Sequence, residues 1–148
     1  MLIQASAVEI GGRAVLVEGP PGSGKSSLAL ALIDRGARLI GDDGVRLSRE
    51  GDTLIAAPPP NIAGLLEIRG VGLITLPVCE AAPAALILNL VETGHAERFP
   101  ERLIARDILG VEIPILPFVP GHKAPAIRAE WALKVHGLAV GAMAEEAT

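Results

Sequence analysis

Gly19-Pro20-Pro21-Gly22-Ser23-Gly24-Lys25-Ser26 is the stretch whose reading decides the fold. It has the spacing of a phosphate-binding loop and lies where such a loop must lie, after the apolar run Ala14 to Glu18 and before the helical run Ser27 to Arg35. Several inward-pointing N–H groups grip a triphosphate, which demands a backbone curled too tightly for ordinary side chains. Gly22 and Gly24 relieve that limit and open the helix N-terminus toward an anion. Lys25 supplies a point charge for the β- and γ-phosphates, and Ser26 a hydroxyl ligand for Mg²⁺. Pro20 and Pro21 lack an N–H, yet they fill the first half of the loop and leave Gly22 to Ser26 free to donate. Ser23 and Ser27 read as cap or filler positions. A nucleoside triphosphate is the predicted ligand of residues 19–26.

Composition narrows the rest. The 148 residues make one domain with a real core and no room for a second ligand-binding lobe. Half of them are apolar while only 2% are aromatic, so the core should be aliphatic. The net charge is −4 and the thirteen basic residues are scattered, which argues against nucleic acid as a partner. No apolar run approaches membrane-spanning length and no basic, apolar, cleavable leader opens the chain, so a cytoplasmic protein is expected. Cys79, the single cysteine, has no partner for a disulfide or a metal and reads as a small buried residue.

Outward from the loop, Gly11-Gly12 separates a strand near Ile3 to Ile10 from the strand Ala14 to Glu18, a hairpin signal. The helix after the loop stops at Gly36. Arg38-Leu39-Ile40 reads as the next strand, ending in Gly41-Asp42-Asp43-Gly44, and Val45 to Ser48 and Thr53 to Ala57 flank the turn Arg49-Glu50-Gly51-Asp52. Pro58-Pro59-Pro60 enforces an extended segment, with room for a short helical stretch after it. Leu66 to Leu76 and Ala85 to Val91 read as two further strands. A short helix is expected after Pro100, and an edge strand over Ile113 to Val119 because of its prolines. Ile127, Trp131, Val135 and Leu138 fall at helical spacing, so a helix over Ala124 to His136 is expected to pack through that stripe. The domain is expected over residues 1–140, and the Ala/Glu-rich residues 141–148 as a frayed, disordered tail.

If the helix after the loop crosses over between parallel strands, the carboxyl ends of both strands share one sheet edge, and Asp42-Asp43 comes beside the phosphate loop. Alone, Asp-Asp-Gly is a turn signal. Beside a γ-phosphate, one carboxylate can hold Mg²⁺ or its water while the other orients an attacking hydroxyl. Glu67 and Arg69 are placed on one face of a strand, a solvated charged face by spacing alone, with Gly70 and Gly72 permitting close approach. His95, His122 and His136 form no ligand pattern, although Pro120-Gly121-His122-Lys123 is a basic turn able to meet phosphate.

Read together, the phosphate loop, Arg35-Gly36-Ala37-Arg38-Leu39-Ile40-Gly41-Asp42-Asp43 and Leu66-Glu67-Ile68-Arg69-Gly70-Val71-Gly72-Leu73-Ile74 resemble the catalytic domain of the HPr kinase/phosphorylase family, the last segment being its specific signature. The resemblance runs from about Ile3 to the Trp131 helix. It implies a bacterial protein of the short form that lacks the N-terminal domain. The implied fold is α/β, a single phosphate-loop kinase domain of the phosphoenolpyruvate carboxykinase-like type, with a mixed sheet and flanking helices. The implied activity is ATP- and Mg²⁺-dependent phosphorylation of a serine on an HPr-like phosphocarrier protein, in regulation of carbon or nitrogen phosphotransferase signalling, with phosphorolysis as its reverse.

By motif match the resemblance assigns Lys25 and Ser26 to nucleotide and Mg²⁺, Asp43 to proton transfer and Glu67 to a second Mg²⁺ ligand, with Asp42 beside them on the metal side. Arg98 is the matching catalytic arginine, by ungapped spacing back from Val111-Glu112-Ile113-Pro114. A hexamer is implied. Two departures favour the kinase direction over the phosphorylase one. Gln4 stands where the family has a histidine, and Phe118-Val119-Pro120-Gly121-His122-Lys123 keeps a Pro-Gly turn without the family's arginines. Pro20-Pro21 also resembles AAA-type ATPases, against which the short chain and the missing apolar strand ending in Asp-Glu argue. Two other functions remain in play: a kinase for a small hydroxyl metabolite, and a nucleotide-gated regulator that transfers nothing.

Overall fold

The computed structural model describes residues 1–60 and 63–140. Strand β1 (Leu2–Ile3) breaks at Gln4-Ala5 and the chain resumes as β2 (Ser6–Ile10), where one continuous strand was expected. Gly11 and Gly12, both at positive φ, then turn it into β3 (Arg13–Glu18), completing the hairpin. The phosphate loop leads into α1 (Lys25–Asp34), which ends where Gly36 takes a φ of 110°. β4 (Arg38–Gly41) follows, then the expected hairpin of β5 (Val45–Glu50) and β6 (Thr53–Ala57). The remainder is β7 (Leu65–Ile68), β8 (Gly72–Thr75), β9 (Ala82–Leu90), β10 (Ile104–Ile108), β11 (Val111–Phe118) and α2 (Pro125–His136).

Among the described residues, nine strands form one mixed, curled sheet whose main path runs β1-β5-β6-β9-β3-β2-β4. β9 organises it. Its first residues pair with β6, its last four with β11 in parallel, and its length with β3 in parallel. Since β2 is antiparallel to both β3 and β4, the two strands that α1 connects are parallel with β2 between them. The end of β3, the end of β4 and the start of β2 therefore meet at one sheet edge. A register shift between β2 and β4 at Ala7/Val8 bends β4 just before Asp42, as bulges do beside functional sites.

Alternation along the strands divides the core in two. One face buries Ala7, Leu16, Ile40, Leu47, Leu54 and Ile113 inside the curl of the sheet. The other buries Val8, Val15, Val17 and Leu88 against Leu28 and Leu32 of α1 and Ala129 and Leu133 of α2. The core is aliphatic, as composition predicted, with each fully buried Leu, Ile or Val contributing about 1.5–3 kcal/mol. Cys79 is buried in it. Glu9, nearly buried in β2, is paired by Arg38 of β4 (Nε to Oε2, 2.9 Å), which removes the cost of an isolated carboxylate.

Four expectations are corrected. Leu66 to Leu76 is not one strand but a separate two-stranded hairpin, β7 with β8, turned at Gly70 with a φ of 82°. Arg69 therefore lies in the turn rather than on a strand face with Glu67. After Pro100 the chain forms β10, not a helix, and β10 covers β11 on one side while β9 covers it on the other, so β11 is interior and β10 is the edge. α2 forms where expected but is turned over. Ile127, Trp131 and Val135 are exposed, Trp131 by 58%, and the buried face is Ala126, Ala129, Ala132 and Leu133, small side chains that let α2 approach closely. The expected tail, 141–148, and the start of the expected short helix after Pro60, at 61–62, lie outside the described residues.

Candidate active site

Inside the phosphate loop the Ser23 N–H donates to the Pro20 carbonyl oxygen (3.1 Å), the turn on which the loop closes. Gly24 caps α1 at a φ of 102° with no side-chain cap, and the first turn carries no acidic residue, which leaves the positive end of the helix facing outward. Lys25 Nζ folds back and donates to the carbonyls of Gly19 (2.8 Å) and Pro20 (3.4 Å). That places the cation inside the loop's own concavity. Ser23 does not cap the helix; its hydroxyl is buried without a partner, and any Cβ at Gly19 would lie 2.6 Å from it. Such a Cβ would also lie 3.2 Å from Leu90 Cβ and 3.3 Å from the Leu90 carbonyl oxygen, so a side chain at position 19 is crowded on two sides.

The crossover delivers Asp42 to the loop. Ser26 Oγ donates to Asp42 Oδ1 at 2.7 Å, and Ser6 Oγ, from the start of β2, donates to the same oxygen at 2.9 Å. Asp43 follows with a φ of 59°, in the left-handed region that Asp tolerates better than most residues but still at a cost of about 1–2 kcal/mol. The tight turn comes from Gly41, where a Cβ would stand 2.0 Å from the Gly44 carbonyl oxygen. Consecutive carboxylates thus leave the strand in different directions. Asp42 turns to Ser26 and is half-buried, while Asp43 is exposed at the mouth.

A cleft of about 720 Å³ runs across this edge. Lys25, Ser26, Asp42 and Asp43 line one side of it, and Glu67 and Arg69, carried in by the β7–β8 hairpin, line the other; Gln4 stands at its margin. Ser26, Asp42 and Glu67 offer oxygen donors only, and among the described residues no three His, Cys, Asp or Glu cluster into a protein-only cage. That donor set suits Mg²⁺, which keeps waters and takes substrate phosphates alongside one or two carboxylates.

Arg98 is not brought to this cleft. It is exposed in the connection from β9 to β10, with its guanidinium 5.4 Å from the Phe99 ring centre. Neighbours in that connection, His95, Glu97 and Arg102, line a smaller cavity of about 370 Å³ with Asn89 at the end of β9. At the root of the loop, Glu18 is held instead by Arg106 of β10 through two hydrogen bonds of 2.6 and 2.7 Å, and that hydrogen bonding raises the Arg106 pKa against the opposing effect of burial. Arg106 and Ser6 are the two contacts that sequence reading missed. Ser6 left one signal: a hydroxyl opening the apolar strand Ser6-Ala7-Val8.

A mixed sheet that aims a phosphate loop, an uncapped helix N-terminus and a strand-end aspartate into one cleft defines a phosphate-loop domain. The chain belongs to the HPr serine kinase C-terminal domain family, whose model matches residues 1–129. It is 40% identical over 134 residues to the HPr kinase/phosphorylase of Halalkalibacterium halodurans, covering 81% of this chain and 43% of that one. It is 38% identical over 134 residues to the enzyme of the same name from Geobacillus thermodenitrificans, with the same coverage. The chain thus spans less than half the length of the curated relatives it matches. The solved structure of the Hpr(Ser) kinase/phosphatase from Coxiella burnetii superposes with a TM-score of 0.76 at 30% identity, covering 90% of this chain and 98% of that one.

Proposed function

We propose that residues 1–140 are an ATP- and Mg²⁺-dependent protein-serine kinase domain acting on an HPr-like phosphocarrier. The observation that carries this reading is the Ser26–Asp42 hydrogen bond with Asp43 next to it at the mouth of the same cleft. Phosphoryl transfer passes through a loose transition state that asks mainly for alignment and charge neutralisation. The N–H groups of Gly22 and of Gly24 to Ser26 hold the phosphates, and Lys25 leaves the Gly19 and Pro20 carbonyls to meet the β- and γ-oxygens. Ser26, Asp42 and Glu67 hold Mg²⁺, which supplies charge neutralisation to the phosphates. Asp43 accepts the proton of the incoming serine hydroxyl and returns it in the reverse direction. Arg98, which is not among the residues lining the cleft, enters this proposal by resemblance alone, as the cation for the transition-state charge.

The substrate reading rests on the cleft's rim. The hairpin that brings Glu67 and Arg69 to the nucleotide also presents Val71 and Leu73, exposed by 73% and 66%. An open, apolar-rimmed site suits a protein surface better than a small hydroxyl metabolite, which would need enclosure. Gln4 lines the cleft at the position where the resemblance calls for histidine and cannot carry a cation, which favours the kinase direction over phosphorolysis. A role in phosphotransferase signalling in the cytoplasm, and a hexameric assembly, complete the proposal by resemblance; no helix among the described residues is long and apolar enough to cross a membrane.

The test is incubation with γ-labelled ATP, Mg²⁺ and candidate carriers. Label on a carrier serine supports the reading, label on a small hydroxyl compound supports a metabolite kinase, and nucleotide binding without transfer supports a gated regulator.

A further inference from the structure

We propose that Ser6 is a positioning residue that sets the Mg²⁺ side of the site through Asp42, an inference that rests on Asp42 and Ser26 serving the cation. Ser6 has no exposed surface, and its neighbours Ala5, Ala7 and Val8 are equally buried. Strand alternation puts it on the same face as Val8, the face that packs against α1. A hydroxyl there costs stability unless it is bonded, and its bond goes to a single atom, Asp42 Oδ1.

The position of Ser6 explains why this contact matters. Its backbone partner is Val17, on the strand that feeds the loop, and the next residue, Ala7, pairs with Gly41, on the strand that feeds Asp42. Ser6 thus stands between the two elements whose relative placement defines the site. Two hydroxyls, one from β2 and one from α1, converge on Oδ1 and fix the carboxylate about its own side-chain torsion. Among the described residues no donor reaches Oδ2, which stays available for the cation's water. Ser26, having given its proton to Oδ1, presents lone pairs rather than a proton to the metal. With Ser6 removed, Asp42 Oδ1 is held by one donor, the same Ser26 hydroxyl that ligates the cation, and the carboxylate loses its independent anchor.

Calorimetric titration of the chain with ADP, once with Mg²⁺ and once with EDTA, tests this without any need for transfer. Ser6→Ala is expected to weaken Mg²⁺-ADP about three- to tenfold, the worth of one hydrogen bond, and to leave ADP in EDTA unchanged. Ser6→Cys, similar in size but a poor donor, is expected to give the same metal-specific loss and covers the case in which alanine perturbs folding. In an Asp42→Ala background, where no acceptor remains for its hydroxyl, Ser6→Ala should add nothing to the metal-specific loss. Equal losses with and without metal, no loss at all, or additive effects in the double variant would each overturn the proposal. Wild-type ADP affinity indifferent to Mg²⁺ would instead overturn the underlying assignment of Asp42 and Ser26, and with it this proposal.

Discussion

Ser26 and Asp42, sixteen residues apart in sequence, share a 2.7 Å hydrogen bond because α1 carries the chain from the end of β3 to the start of β4, which runs parallel to β3 with β2 between them and so ends at the same sheet edge. That contact joins the first turn of a helix to the last residues of a strand. It turns a run readable as a simple turn, Asp42-Asp43-Gly44, into part of a phosphate site.

Lys25 should be indispensable for nucleotide binding. Its ammonium group already lies within the loop, held by the Gly19 and Pro20 carbonyls, so exchanging those neutral acceptors for phosphate oxygens is favourable. Lys25→Ala is expected to lower Mg²⁺-ATP affinity about ten- to a hundredfold in a folded protein, the range for hydrogen bonds to charged groups. Calorimetry beside a thermal melt checks it; unchanged affinity would remove Lys25 from the site.

Gly41→Ala should damage fold and site together. The new Cβ would stand 2.0 Å from the Gly44 carbonyl oxygen, which is backbone and cannot swing aside. A loss of more than about 2 kcal/mol is expected, and with it loss of ATP binding, because the turn carrying Asp42 and Asp43 must open. A denaturant melt that matches wild type would show the turn to be more pliable than this geometry allows.

How much of this was legible depends on the range over which each signal acts. The loop, α1 and β4 were readable because their determinants are local: glycine sterics, a Lys-Ser ending and a stop at Gly36. Asp42 followed from chain topology, since a crossover helix returns the chain to the same sheet edge. The hairpin at Leu65 to Thr75 was misread as one strand because its apolar residues run on through the turn and only Gly70 and Gly72 mark the reversal. Periodicity found α2 but not its orientation. An alanine face that packs closely carries less hydrophobic signal than an exposed Ile127–Trp131–Val135 stripe. Ser6 was missed for a different reason, its partner lying thirty-six residues away.

The orientation of α2 gives its own check. Ala129 has no exposed surface, whereas Trp131 is largely exposed, with the Lys134 ammonium group 4.5 Å from its ring centre. Ala129→Leu should cost about 1–3 kcal/mol by overpacking, and Trp131→Ala less than about 1 kcal/mol. The opposite order in urea melts would mean that the stripe, not the alanine face, packs inward.

Glu67 enters the cleft on a hairpin that stands apart from the main sheet, so neutralising it should leave the core untouched. Glu67→Gln is expected to raise the Mg²⁺ concentration needed for half-maximal transfer severalfold with an unchanged melting temperature. If only the melting temperature moved, Glu67 would be a charged surface residue and nothing more.

Asp43 carries the central claim, that this cleft transfers a phosphoryl group to a serine. Its left-handed backbone is one that asparagine adopts equally well, so Asp43→Asn removes the proton acceptor while keeping the turn. The decisive measurement sets Mg²⁺-ATP affinity beside the rate of phosphoserine formation on an HPr-like carrier, in wild type and in Asp43→Asn. The expected result is wild-type transfer, with affinity preserved and transfer lowered by about 10²-fold or more in the variant. Equal transfer rates in the two proteins, or no phosphoserine from a wild-type chain that binds ATP, would contradict the account.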